Sequence, residues 1–302
     1  MKIIFMGTPE YAGRILEKII TTAGIEVVAV YTQPDKPVGR KKILTSPIVK
    51  TIALQNGIQV YQPKRLRDED IIKEVISIEC DYIVVAAYGQ ILPKEILNHA
   101  PCINLHASIL PQYRGASPIQ QTLLNGDTTT GVTAMLMDEG LDTGDIIKIA
   151  TIDVGADEMA ESLFERLTDV ASDLTVDVLQ NFATFTPQKQ NEALASHCKK
   201  ITKQDGEIAF ENAEEIFNKY RAFTPWPGIY LASGLKLKEI KLFENKSQNE
   251  SGKILQIEKN AIIVGCKQGT LQVSRVQPES KNEMDVLSYI NGKRLNLADT
   301  LS

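Results

Sequence analysis

"KIIFMGTPEYAGRILEKIITTAGIEVVAVY", residues 2–31, begins in an apolar run, breaks at Gly7-Thr8-Pro9 and ends in a second apolar run. Between the runs, Ile15, Leu16, Ile19 and Ile20 recur at the spacing of one helical face. Lys2–Phe5 and Glu26–Tyr31 are short, continuous and β-rich, as strands buried on both faces are. Strand, turn, helix and strand in that order predict a βαβ unit. A third run, Asp81–Tyr88, follows another helical stretch. A strand at Ile103–His106, a helix near Pro118–Leu124, a strand at Gly131–Met137 and a long amphipathic helix over Asp157–Asn181 continue the alternation. The first half therefore reads as α/β, a Rossmann-like domain built on a parallel sheet.

The periodicity fades after Thr184, where Pro187 precedes the polar run Gln188-Lys189-Gln190-Asn191. Beyond it come a helix near Glu214–Phe223 and short strands at Ile229–Ala232, Leu235–Leu242, Lys253–Glu258, Ala261–Cys266 and Gly269–Val276. Short strands separated by turn residues suggest a small β-barrel of the OB type. The expected organisation is a domain over residues 1–187, a linker over 188–205 and an OB-like domain over 206–302.

The chain has 302 residues and a net charge of −5, unevenly spread. Residues 1–196 carry 17 basic and 25 acidic side chains, whereas 197–302 carry 16 basic and 13 acidic. A basic C-terminal third permits contact with a polyanion. No apolar run is long enough to span a membrane, and Ile3-Ile4-Phe5 runs into Gly7-Thr8-Pro9 without a signal-peptide pattern, so a cytoplasmic, membrane-free protein is expected. Cys80, Cys102, Cys198 and Cys266 form no Cys-x-x-Cys pair, and only three histidines occur, which speaks against a metal cofactor. A monomer is the default expectation.

Asn104 and His106 lie two apart in a strand-like segment, so both side chains project from one face. At the carboxyl edge of an open sheet they meet solvent where α/β folds place their ligands. An amide donor beside an imidazole suits acyl transfer, because one steadies a developing oxyanion while the other handles a proton. The plainer alternative is a histidine bonded in a turn. The loop Gly140-Leu-Asp142-Thr-Gly144-Asp145 supplies a carboxylate able to orient that imidazole, although Asp138, Glu139, Asp142 and Asp145 equally suit a cation site or a solvated turn.

Ser108 lacks a nucleophile elbow, and Ser108–Pro111 reads better as a pocket wall. Arg114 binds an anion or, more safely, pairs with a carboxylate. Gly7-Thr8-Pro9 lacks the spacing of a dinucleotide fingerprint. The loop Gln33–Lys42 carries four cations against one acid, a pattern that is either simply solvated or a clamp for phosphates. Trp226 between two prolines is expected to anchor the core of the second domain.

The segments "MGTPEYA" (6–12), "TQPDKPVGR" (32–40), "AYGQILP" (87–93), "INLHASILPQYRGASPIQ" (103–120), "GVTAMLMDEGLDTGD" (131–145) and "RAFTPWPG" (221–228) together resemble the methionyl-tRNA formyltransferases. The resemblance implies transfer of formyl from 10-formyltetrahydrofolate, a co-substrate used without metal, to the methionyl amine of initiator tRNA. It implies a catalytic set of Asn104, His106 and Asp142. It implies folate contact by Ser108, Ile109, Leu110 and Pro111, where isoleucine stands at the family's first leucine. The basic loop that meets the acceptor stem corresponds to Arg40, Lys41 and Lys42. Rival readings are a formyltransferase acting on an amino sugar nucleotide and a non-catalytic folate- or RNA-binding module.

Overall fold

The computed structural model describes residues 1–39 and 41–302, which form two compact units. Met1–Pro118, Thr129–Asp153 and Phe164–Cys198 make the first; Ile119–Thr128, Val154–Leu163 and Lys199–Ser302 make the second.

In the first unit the chain runs through β1 (Lys2–Gly7), α1 (Glu10–Ile20), β2 (Glu26–Tyr31), the hairpin β3 (Lys36–Val38) and β4 (Ile43–Thr45), α2 (Ile48–Gln55), β5 (Val60–Tyr61) and α3 (Glu69–Ser77). It continues through β6 (Tyr82–Ala86), α4 (Lys94–Leu97), β7 (Cys102–His106) and β8 (Arg114–Gly115). After α5 (Pro118–Leu124) come β9 (Thr129–Leu136), β10 (Ile146–Asp153), α6 (Ala160–Asn181) and β11 (His197–Cys198). The main sheet has the order β10-β9-β7-β6-β1-β2-β5.

β7, β6, β1, β2 and β5 are parallel, as their continuous apolar sequences predict, whereas β9 and β10 add an antiparallel edge. β1 is buried from Ile3 to Gly7. Ile4 and Met6 join Tyr31, Ile83, Val85 and Leu92 in one core cluster, and Ile3 and Phe5 alternate to the opposite face. Ile15, Leu16 and Ile19 of α1 are fully buried, as their spacing requires. At the end of β1, a Cβ on Gly7 would come within 2.5 Å of Ala12 Cβ and 3.0 Å of the Ala86 carbonyl, so α1 starts hard against the sheet because residue 7 has no side chain.

The sheet reverses its winding between β1 and β6. The chain leaves β1 toward β2 and β5 and returns on the other side at β6 and β7. The carboxyl ends of β1, β6 and β7 therefore flank the crevice where open sheets bind ligands.

The second unit contains β12 (Glu207–Ile208), α7 (Ala213–Phe223), β13 (Ile229–Leu231), β14 (Lys236–Gln248), β15 (Ile254–Ile257), β16 (Ile262–Gly265), β17 (Gln268–Gln277), β18 (Met284–Asp285) and α8 (Val286–Lys293). It is β-rich, with the order β12-β13-β14-β17-β16-β15 and β18 against β17. Register shifts along β14 and β17 mark bulges, which bend and twist a sheet.

Its core differs from expectation at one aromatic: Trp226 is 61% exposed. Phe210, Phe217 and Phe223 are buried in its stead, two of them on α7. No described helix is long and apolar enough to cross a membrane.

Candidate active site

β7 carries Asn104 and His106 to the carboxyl edge of the parallel core. Asn104 lies beside Val85 of β6 and Met135 of β9, and His106 lies opposite Thr133. Strand alternation turns the amide and the imidazole to the same face. Asn104 is half-buried, and among the described residues its side-chain amide makes no hydrogen bond within the protein. A half-buried donor without a protein partner is suited to receive an acceptor from a ligand.

The imidazole is held from both sides. His106 is 6% exposed, and its Nε2 lies 2.9 Å from the Tyr113 carbonyl oxygen. A carbonyl only accepts, so Nε2 carries a proton and Nδ1 is the nitrogen that faces the carboxylate. Nδ1 lies 3.7 Å from Asp142 Oδ1. That is ion-pair range and longer than a hydrogen bond, so the carboxylate acts on the ring chiefly by charge. Asp142 Oδ2 accepts from the Gly115 backbone N–H at 2.8 Å, which aims the other oxygen at His106.

The backbone carries conformations that sequence alone does not announce. Tyr113 has φ 61° and Asp142 has φ 55°, both in the left-handed region that non-glycine residues seldom occupy. These turns point the Tyr113 carbonyl and the Asp142 carboxylate toward one ring. Three acids of the loop take separate partners. Asp138 accepts from Gly140 N–H and Thr143 Oγ1, Glu139 pairs with Lys94 at 3.0 Å, and Asp142 alone turns to the imidazole. Among the described residues no cluster of His, Cys, Asp or Glu is placed to hold a metal ion.

Ser108 is fully buried and donates to the Gln112 carbonyl at 2.6 Å. Thr133 Oγ1 donates to the Ser108 carbonyl at 2.7 Å and accepts from Leu110 N–H at 3.1 Å. The Ser108–Pro111 stretch is thus bound into the site by main-chain bonds, with Leu110 buried and Ile109 and Pro111 half-buried. Its serine hydroxyl is engaged as a donor within its own turn, not poised as a nucleophile.

Arg114 is 2% exposed and paired, not open to an anion: Nη1 and Nη2 donate to the two Glu192 oxygens at 2.9 and 2.7 Å. Each partner holds the other in its charged form, raising the guanidinium and lowering the carboxylate from their ordinary values. Glu192 lies in the stretch expected to be a linker, and residues 188–198 belong to the first unit. Their polar side chains bond instead of packing, so no hydrophobic period marks them.

The basic loop is a hairpin, β3 against β4, with Pro37 opposite Leu44. Lys41 and Lys42 are exposed at its tip, and the third expected contact, Arg40, lies outside the described residues. Val38, Ile43 and Leu44 are also exposed, at 56%, 63% and 67%. The hairpin's base is fixed by Asp35, which accepts from Gln62 at 2.8 Å, Lys50 at 2.9 Å and Ser46 at 3.1 Å. The Gln62 bond, then the Lys50 and Ser46 bonds, lower the Asp35 carboxyl below its ordinary range.

Comparison with known proteins finds likenesses over both units. A family model described as formyl transferase matches residues 1–179, and one described as formyl transferase, C-terminal domain, matches residues 200–294. A protein of Sulfurimonas denitrificans named methionyl-tRNA formyltransferase is 75% identical over 302 residues, with 100% of both chains covered. A protein of the same name from Nitratiruptor sp. is 55% identical over 302 residues, covering 99% of each chain. Among solved structures, the N-formyltransferase of Helicobacter canadensis in complex with folinic acid and dTDP-3-aminofucose aligns with a TM-score of 0.70. The alignment covers 92% of this chain and 100% of that one at 19% identity, a likeness of fold.

Proposed function

This chain belongs to the formyl transferase family, and from that membership we propose that it moves the formyl group of 10-formyltetrahydrofolate to the α-amino group of methionyl initiator tRNA, as translation initiation requires. Full-length likeness to relatives of that name supports the acceptor. The observation that carries the chemistry is the His106 imidazole set beside the Asp142 carboxylate, with Asn104 two residues earlier on the same strand at the carboxyl edge of the sheet.

The division of labour we propose places catalysis and folate binding in residues 1–187 and tRNA contact in 206–302 together with the basic hairpin of the first unit, with 188–205 between the two ranges in sequence. Ser108–Pro111 wall the folate pocket, and Arg40, Lys41 and Lys42 meet tRNA phosphates. The protein acts as a monomer in the cytoplasm.

Each residue has a separate task. As the neutral methionyl amine adds to the formyl carbon, the formyl oxygen gains negative charge, and the Asn104 amide donates to it. The new carbon–nitrogen bond leaves the amine with a surplus proton, and the departing folate nitrogen requires one. His106 assists that movement at Nδ1, and Asp142 steadies the ring while it is cationic. The Tyr113 carbonyl holds Nε2–H throughout, so the ring cannot turn away.

The direct test is a formyl-transfer assay with methionyl initiator tRNA and, in parallel, an amino sugar nucleotide. Formylation of the tRNA alone is expected. Formylation of the sugar nucleotide alone overturns the acceptor, and formylation of neither overturns catalysis.

The hairpin yields a second expectation. Lys41→Ala/Lys42→Ala should raise the KM for tRNA several-fold and reduce the salt dependence of log(kcat/KM) by about 1–2 in slope, with the KM for folate unchanged. Cations that meet phosphate strengthen binding by releasing condensed counterions, a gain that added salt erodes and that a pterin does not supply. An unchanged salt slope removes the hairpin from the tRNA site.

A further inference from the structure

We propose that residues 188–198 form a strap that positions the catalytic carboxylate, and that the Gln190 side chain is its working contact. The inference rests on the reading of Asp142 as the carboxylate behind His106.

Asp142 sits in a left-handed conformation on a loop whose neighbouring turn is exposed. Such a loop keeps its position only if its carbonyls are tied down. Gln190 ties two of them: Nε2 donates to the Asp142 carbonyl at 2.8 Å and to the Gly144 carbonyl at 2.8 Å. Both protons of one amide group are thereby spent on the loop. The amide oxygen of Gln190 accepts from Arg114 Nε at 3.0 Å and Nη2 at 2.8 Å, which fixes which end of the amide faces the loop.

Arg114 is the post to which the strap is fastened. Its side chain is buried and closed off on the far side by Glu192. Its main chain is gripped as well, because Arg114 N–H donates to the Ser196 carbonyl at 2.9 Å and Tyr113 N–H to Ser196 Oγ at 2.9 Å. Tyr113 is the residue whose carbonyl holds His106. One short segment therefore sets the separation between the two supports of the ring, the carbonyl at Nε2 and the carboxylate at Nδ1. Neither Gln190 nor Arg114 reaches the reacting atoms in this arrangement. Both are positioning residues.

The test compares Gln190→Glu with Gln190→Met. Glutamate keeps an acceptor for Arg114, and so keeps the fold of the strap, but has no protons for the two carbonyls; methionine loses both functions. Both variants are expected to lose about 10-fold or more in kcat, with KM for folate and tRNA within about 2-fold, because a small misplacement of a catalytic group costs rate more than binding. Gln190→Glu should lower the melting temperature only modestly, since its bonds to Arg114 survive, while Gln190→Met, which loses the contacts on both sides, lowers it further. In an Asp142→Asn background neither change should cost much further rate, since the carboxylate being positioned is gone.

Parent-like kcat in Gln190→Glu overturns the strap, as does a loss that multiplies fully with that of Asp142→Asn. If Asp142→Asn alone keeps parent activity, the catalytic set itself falls and takes the strap with it. That outcome is told apart by the single variant.

Discussion

Asn104→Ala is expected to lower kcat by roughly 100- to 1000-fold while KM for both substrates and the melting temperature stay near their parent values. The effect is large because the lost hydrogen bond is one made to charge that exists only near the transition state. Asn104 makes no side-chain bond within the protein among the described residues, so its truncation breaks no internal contact. Asn104→Asp sharpens the test. It is nearly isosteric, but it sets an anion where the formyl oxygen becomes negative, so it should fall below the alanine variant. A group that merely filled space would show the opposite order. Turnover within a few-fold of the parent in Asn104→Ala removes the residue from this role.

The candidate site was legible in the sequence where local geometry determines it. The spacing of Asn104 and His106 on a strand fixes their common face, and that the strand ends at the switch point follows from the βαβ alternation. The third member needed the resemblance, because four acids within eight residues look alike as charges and only the left-handed turn at Asp142 separates one from the rest. Backbone contributions were not legible at all. The Tyr113 carbonyl and the Gly115 N–H have no side-chain signature, yet one holds the ring and the other aims the carboxylate.

Side-chain burial was misjudged where composition and position conflict. A tryptophan between prolines reads as core, but the turn after α7 leaves Trp226 outside while α7 itself buries its phenylalanines. The hairpin β3–β4 and strand β10 escaped notice for different reasons. The hairpin strands have three residues each with exposed apolar side chains, and β10 alternates burial too irregularly to show a period of two.

Gly144→Ala is expected to lower the stability of the first unit by about 4 kcal/mol or more, a loss of roughly 8–16 °C in its melting temperature. A Cβ on Gly144 would lie 1.6 Å from the Leu136 carbonyl oxygen and 2.8 Å from its carbon. Both are main-chain atoms at the end of β9, where Leu136 N–H also donates to the Asp145 carbonyl at 2.9 Å. The strand cannot yield without losing that bond and its pairing with β7. Nor can the loop back away freely, since Gln190 grips the Gly144 carbonyl from the other side. Overpacking against fixed backbone therefore has no cheap relief. Gly140, four residues earlier, supplies the control. Its Cβ would meet Thr143 Oγ1 at 2.0 Å and Thr143 Cβ at 3.1 Å, but these are side-chain atoms that can shift by giving up the Thr143–Asp138 hydrogen bond, whereas at Gly144 the obstacle is main chain. Gly140→Ala should cost about 1–2 kcal/mol, the scale of one lost hydrogen bond and a side-chain shift, and so clearly less than Gly144→Ala. Where the Gly144→Ala protein remains folded, the displaced loop carries Asp142 off His106 and kcat falls as well. Calorimetry of both variants beside the parent decides the matter, and a Gly144→Ala midpoint within 2 °C of the parent, by the order-of-magnitude scale above, contradicts the packing argument.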